Sequence, residues 1–114
     1  MKKAFTTHID KYLNHDGFQM IFSNGCTISV MFGKYTFSDG GETTAEVAAW
    51  NSDGDWMLFH EDRLPFDQWI VLPKDEVEVM SRQTADEVAN LIFTLSKYSV
   101  EEQGIKNRIR ILII

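Results

Sequence analysis

The sequence holds a single cysteine, Cys26, in 114 residues. No intramolecular disulfide can form, which favours a reducing compartment, and a cytoplasmic protein is expected. It holds two prolines, Pro65 and Pro73, both within a polar stretch from 60 to 75. No apolar run approaches the ~20 residues that a membrane-spanning helix needs. Met1-Lys2-Lys3-Ala4 is followed by polar Thr6, Thr7 and His8 rather than an apolar run, so no secretory leader is expected. Basic side chains are also scarce: 11 Lys and Arg stand against 17 Asp and Glu, a net charge of −6. That excludes broad electrostatic attraction to nucleic acid or to an anionic membrane. It leaves a small-ligand pocket with local Arg, or an acidic surface aimed at a basic partner.

The usual catalytic groupings are missing as well. His8, His15 and His60 are scattered, and neither Cys-x-x-Cys nor His-x-x-x-His spacing occurs. "NSDGDW" at 51–56 has an aspartate on each side of Gly54, but counted from Asn51 the glycine is fourth and Asp62 twelfth, which is not an EF-hand loop. No histidine is placed by the sequence beside Cys26 to activate it. Ser23, Ser29 and Ser38 lack a nucleophile-elbow context, and "SDGGET" lacks the Lys-Ser/Thr of a phosphate loop. The acid pair Asp86-Glu87, at the start of a helix, answers the helix dipole rather than performing acid–base work. No enzyme, no metal and no cofactor are expected.

What is present is a well-patterned core. Apolar residues make up 44% of the chain and charged residues 25%, with eight Phe, three Trp and three Tyr; such values describe one globular domain spanning residues 1–114. In "GFQMIFSNGCTISVMFG", residues 17–33, Phe18, Met20 and Phe22 alternate with Gln19, Ile21 and Ser23, and after Asn24-Gly25 the residues Ile28, Val30 and Phe32 alternate with Thr27, Ser29 and Met31. Period two on both sides of Asn-Gly predicts a β-hairpin with a type I′ turn and its core face on Phe18, Met20, Phe22, Ile28, Val30 and Phe32. Ile21 and Met31 mark the other face for partial cover by another chain or by the C-terminal tail. Residues 43–51 and 56–59 predict a second hairpin about "NSDGDW", with an Ala-rich helix as the competing reading of 43–51. Shorter strands are expected at 2–8, 69–72 and 77–81, and a turn of helix at 9–13. Thr84 and Glu87 form a capping box, and Ala85, Val88, Ala89, Ile92, Leu95 and Ser96, widened by Leu91 and Phe93, predict an amphipathic helix from 85 to 98. The terminal "IKNRIRILII" alternates β-branched residues as a strand would; such a strand must pair within the sheet or with a second subunit, so a homo-oligomer is expected. The fold class is α+β: an antiparallel sheet of about four to six strands with one main helix on one face.

Binding is the function this leaves. Tyr35, Phe37, Trp50, Trp56 and Trp69 lie in or beside loops and would stack on a base, and Arg63, Arg82, Arg108 and Arg110 would grip phosphate in bidentate fashion. The competing reading makes these aromatics core and these arginines solvated. Tyr35, Phe37, Trp56, Trp69, Arg63, Arg82, Arg108 and Arg110 are the candidate ligand residues.

The hairpin at 17–33, read as Gly-Phe-x-x-x-Phe-x-Asn-Gly-x-x-Ile-Ser-Val-x-Phe-Gly, together with "AEVAAWNSDGDW" and "TADEVANLI", resembles a family of small phage and prophage proteins over most of residues 17–95. More loosely, the chain is similar to the Thoeris anti-defence proteins of phages. That likeness implies a non-enzymatic, oligomeric protein that sequesters a small nucleotide-derived immune signal inside an infected cell. It carries no ligand residue across. The terminal "NRIRILII" departs from the phage pattern, which often ends with the helix. The first alternative is an acidic, protein-binding inhibitor that mimics nucleic acid to a host defence nuclease such as a CRISPR effector; the second is a structural or accessory phage protein whose oligomer is itself the function.

Overall fold

Even-numbered residues on both sides of Asn24-Gly25 carry the core face, and that parity fixes the turn. In the computed structural model, which describes residues 3–7, 16–33, 36–60 and 68–99, strand β2 (Gly17–Ile21) pairs antiparallel with β3 (Thr27–Met31), placing Phe18 opposite Val30 and Met20 opposite Ile28. Even residues meet even residues only if an odd number of residues forms the loop. The turn is accordingly a three-residue one, not the expected type I′ pair. Gly25 N–H donates to Phe22 C=O at 2.9 Å, Phe22 N–H donates to Cys26 C=O at 2.9 Å, and of Asn24 and Gly25 only the glycine has positive φ, +86°. A two-residue loop would have turned Thr27 to the core in place of Ile28.

Seven strands occur among the described residues, above the expected four to six, all in one antiparallel sheet. Strand β1 (Phe5–Thr7) edges β2, and β4 (Thr44–Trp50), β5 (Trp56–His60) and β6 (Gln68–Val71) continue the meander. Strand β7 (Met80–Thr84) returns to β4. One edge of β4 therefore serves two partners: Ala49 and Trp50 pair with β5, while Thr44 to Val47 face β7 across a bulge. The strand expected at 77–81 falls later in the chain, and Val77 is 65% exposed. The β4–β5 turn repeats the geometry of the first: Gly54 N–H donates to Asn51 C=O at 3.0 Å, Asn51 N–H donates to Asp55 C=O at 2.9 Å, and Gly54 has φ +83°.

Helix α1 (Ala85–Ser96) starts at the anticipated capping box: Glu87 N–H donates to Thr84 Oγ1 at 3.2 Å and Thr84 N–H donates to Glu87 Oε1 at 3.0 Å. It lays Leu91 and Leu95 on Ile28, Val30, Val47, Ala49, Met57 and Trp69, with Val88, Ile92 and Tyr98 packed around them. Phe93, expected to widen this face, instead points to solvent at 62% exposure, with the Lys97 ammonium 5.8 Å from its ring centre. Two contacts fix the helix along its length. Trp69 Nε1–H donates to Thr94 Oγ1 at 3.0 Å. Asn24 Nδ2 donates to the carbonyls of Leu95 and Tyr98 at 2.8 and 2.9 Å; the Leu95 carbonyl also accepts from Tyr98 N–H at 3.1 Å. The other face of the central strands is buried as well, at Thr27, Ser29, Glu46 and Ala48. No helix among the described residues is long and apolar enough to cross a membrane. The helical turn at 9–13 and the Ile-rich strand of the terminal "IKNRIRILII", residues 105–114, lie outside the described residues.

Candidate functional site

A cleft of about 400 Å³ opens between the first half of α1 and the sheet. Val30 and Ala45 form its floor, Phe32 one wall, and Val88, Ala89 and Ile92 the other; Gly41, Glu42, Thr43, Thr44 and Gln83 line its rim. Its existence follows from side-chain size: α1 presents small Ala85 and Ala89 toward the sheet edge, while larger Leu91 and Leu95 seat the second half of the helix. The volume falls within the range of small-molecule sites, about 300–1,000 Å³. Most walls are apolar, with an amide, hydroxyls and one carboxylate at the mouth.

The rim is tied down by Asp39. Its carboxylate accepts from the hydroxyl and the N–H of Thr43 and from the N–H of Thr44, the two backbone donations measuring 3.0 and 2.9 Å at Oδ1. Asp39 N–H in turn donates to Thr44 Oγ1 at 3.0 Å. The hydrogen bonds from the Thr43 side chain, then from the Thr43 and Thr44 backbone, hold the Asp39 carboxyl well below the usual carboxylate range.

Phe37 and Arg82 meet beside this rim. Arg82 N–H donates to Phe37 C=O at 2.8 Å, and Phe37 N–H donates to Oε1 of the buried Glu46 at 3.3 Å. Glu46 sits at the β4 bulge between Ala45 and Val47, where β7 does not pair in register. Arg82 has φ +50°, so the strand turns aside here and Phe37 takes its backbone donor. The Phe37 ring is left 60% exposed, and the Arg82 side chain is exposed, one residue before the cleft-lining Gln83.

The other described candidates are elsewhere. Trp69 is 3% exposed, edge-on to Phe59 with ring centres 5.5 Å apart, and its indole N–H is taken by Thr94; it is a core residue with no free face for a base. Trp56 is half-buried against Trp50, ring centres 5.6 Å apart, at the far end of β4. There it borders a groove of about 290 Å³ with Asp53, Asp55, Lys74, Asp75 and Glu76. Tyr35, Arg63, Arg108 and Arg110 lie outside the described residues. The cleft residues Val88 and Ala89 were read from sequence as helix core and not as ligand residues, and Gln83 and Glu42 were not singled out; the loop position of Phe37 pointed to the neighbourhood.

Cys26 is buried in the core cluster, and burial pushes its thiol up. Burial also raises Tyr98, with a smaller contribution from the nearby Cys26. Neither shift prepares a nucleophile. No group of three or more His, Cys, Asp and Glu among the described residues is arranged to hold a metal ion. The chain matches no protein-family model, no curated protein and no solved structure.

Proposed function

We propose that the protein is a non-enzymatic binding protein that takes a small molecule into the cleft under α1. The observation that carries this reading is the cleft itself: a ligand-sized space, apolar inside, with hydrogen-bonding groups only at its mouth. In its finer form the ligand is a small nucleotide-derived immune signal, and the protein a phage or prophage counter-defence factor acting as a homo-oligomer in the infected cell. What supports the finer form is the chemistry available. Val30, Phe32, Val88 and Ile92 suit a heterocyclic base; Gln83 and Glu42 suit its polar edge; Arg82 and the exposed ring of Phe37 stand beside the rim for phosphate and stacking. No cation lines the cleft among the described residues, so phosphate belongs outside it.

Isothermal titration with adenosine, cyclic ADP-ribose isomers and cyclic oligonucleotides tests this. Binding by the native chain, its loss in Ala89→Trp, which fills the cleft from an exposed helix position, and its weakening in Arg82→Ala are expected. Absence of heat with every one of these ligands, together with a native mass spectrum free of any bound small molecule from defence-expressing cells, overturns it.

The alternative, an acidic inhibitor of a defence nuclease, draws on the groove beside Trp56, where Asp53, Asp55, Asp75 and Glu76 surround one lysine. Glu42, Asp86 and Glu87 lie toward the opposite end of β4, about 20 Å away for a strand of its length. That spacing favours the grip of single basic side chains over mimicry of a continuous phosphate row. Retention of a purified basic nuclease by the native chain and its release by Asp75→Lys would favour this reading over the first.

A further inference from the structure

The two hairpin turns form a built-in comparison. The first reads Phe22-Ser23-Asn24-Gly25-Cys26 and the second Asn51-Ser52-Asp53-Gly54-Asp55. They share the same two backbone hydrogen bonds and the same positive-φ glycine. The counterpart of Asn24 is Asp53, but there Asn51 Oδ1 accepts from Asp55 N–H at 2.9 Å, the task that Asn24 Oδ1 performs for Cys26 in the first turn, where Phe22 stands in the place of Asn51. What an aspartate cannot do is donate. Asn24 Nδ2 gives its two hydrogens to the Leu95 and Tyr98 carbonyls, while its Oδ1 accepts from Cys26 N–H at 2.9 Å. The side chain thus closes its own turn through Oδ1 and clasps the end of α1 to it through Nδ2.

Of the five asparagines, Asn24 is the one followed by glycine. Glycine has no Cβ to shield its backbone nitrogen or to restrict its approach. The Gly25 nitrogen attacks Asn24 Cγ, the Cγ–Nδ2 bond breaks, and Nδ2 leaves as ammonia with the proton shed by the attacking nitrogen. Water then opens the resulting five-membered imide at either carbonyl, giving aspartate or isoaspartate. Amide and water become acid and ammonia, with no other reactant.

We infer that Asn24 is a site of spontaneous deamidation whose state sets the docking of the C-terminal end of α1. The aspartate product keeps an oxygen to accept from Cys26 N–H, and with it the turn. It replaces two donors by a carboxylate facing two carbonyls, at the helix end that already carries partial negative charge. The native arrangement also delays the reaction. The Gly25 N–H is held by Phe22 C=O, and the Asn24 amide is held at both its atoms, so attack waits for the turn to open and its rate follows the open population.

Peptide mapping by mass spectrometry, on the full chain kept at mildly alkaline pH with and without urea, reads both parts. Conversion concentrated at Asn24 and slower by about tenfold or more in the native chain is expected; equal rates overturn the protection. Asp53→Asn supplies the control, since it places Asn-Gly in the twin turn with no helix to clasp. It should deamidate at position 53 faster than at position 24 in the same molecule, and the reverse order overturns the clasp as the cause. Asn24→Asp should lower the melting temperature by about 5 °C or more and speed hydrogen exchange at the Lys97 and Tyr98 amides while Phe22 and Gly25 stay protected. An Asn24→Asp protein with native melting and native exchange at those two amides overturns the inference.

Discussion

Replacing Trp69 separates its two readings, core residue or ligand-stacking residue. In Trp69→Phe the indole N–H to Thr94 is lost, which costs roughly 0.5–1.5 kcal/mol. The smaller ring also leaves a cavity of about 40 Å³ beneath α1; at ~24 cal/mol per Å³ that adds about 1 kcal/mol. The total is about 2 kcal/mol. Thr94→Val preserves shape but strands the indole N–H in a site that is 3% exposed, at a cost of roughly 1–3 kcal/mol. Made together, the two changes remove donor and acceptor at once. The double variant should then be more stable than the sum of the singles predicts, by about 1 kcal/mol. Urea unfolding followed by far-ultraviolet circular dichroism measures all four proteins without depending on tryptophan emission. A coupling below ~0.3 kcal/mol would show that the Trp69–Thr94 bond does not pin α1 to β6. A Trp69→Phe protein of native stability that had lost ligand would refute the core assignment.

Gly25→Ala and Gly54→Ala share the positive-φ penalty, about 1 kcal/mol. Only the first adds a clash, because a Cβ at Gly25 would lie 2.9 Å from Ser52 Cβ, whereas nothing lies within 4 Å at Gly54. Thermal melts should rank Gly25→Ala below Gly54→Ala, and equal melts would mean the two turns do not touch. Leu95→Ala empties a fully buried position at the centre of the helix interface and should cost about 2–5 kcal/mol by urea titration. The Asp39 carboxyl is held below its unfolded value, so its contribution is present above the ordinary carboxylate pKa and is lost as pH falls through the lower folded value. The Thr43 and Thr44 amide resonances should therefore hold their positions through the normal carboxylate range and move only at stronger acid, and Asp39→Asn should abolish that movement. Cys26, buried and raised, should resist a thiol reagent in the native chain and react once urea unfolds it.

The capping box at Thr84 and Glu87 and the strands flanking Asn24-Gly25 were legible in the sequence because each is written in adjacent residues. The turn type was legible too, though in parity rather than in the Asn-Gly pair: core residues that are even on both strands require an odd loop. Strand β7 was displaced because Met80-Ser81-Arg82-Gln83-Thr84 has no alternation of its own. Its backbone pairing to β4 places it, and exposed Val77 with half-buried Val79 supplied a misleading period. Phe93 was assigned to the core on hydrophobicity alone, while the helix turns on Leu91 and Leu95. The cleft was not legible at all. It is the gap among residues 30–32, 41–45 and 83–92, and no local pattern records a gap between distant segments. Trp69 looked like a loop aromatic because Pro65 and Pro73 bracket it; the partner that claims its indole is Thr94, on another element.

The shared edge of β4 has a consequence in time. Strands β2 and β3 are joined by one short turn and β4 and β5 by another, with residues 32–43 between the two hairpins, so each hairpin can zip as the chain grows. The lower half of that edge must wait for β7, whose partner Val47 pairs with Met80 far downstream, and distant pairings form slowly. Helix α1 follows β7 without a break, so the helix, its clasp to Asn24 and the cleft beneath it arrive as one late event. A newly made chain would thus carry most of its sheet before the cleft exists.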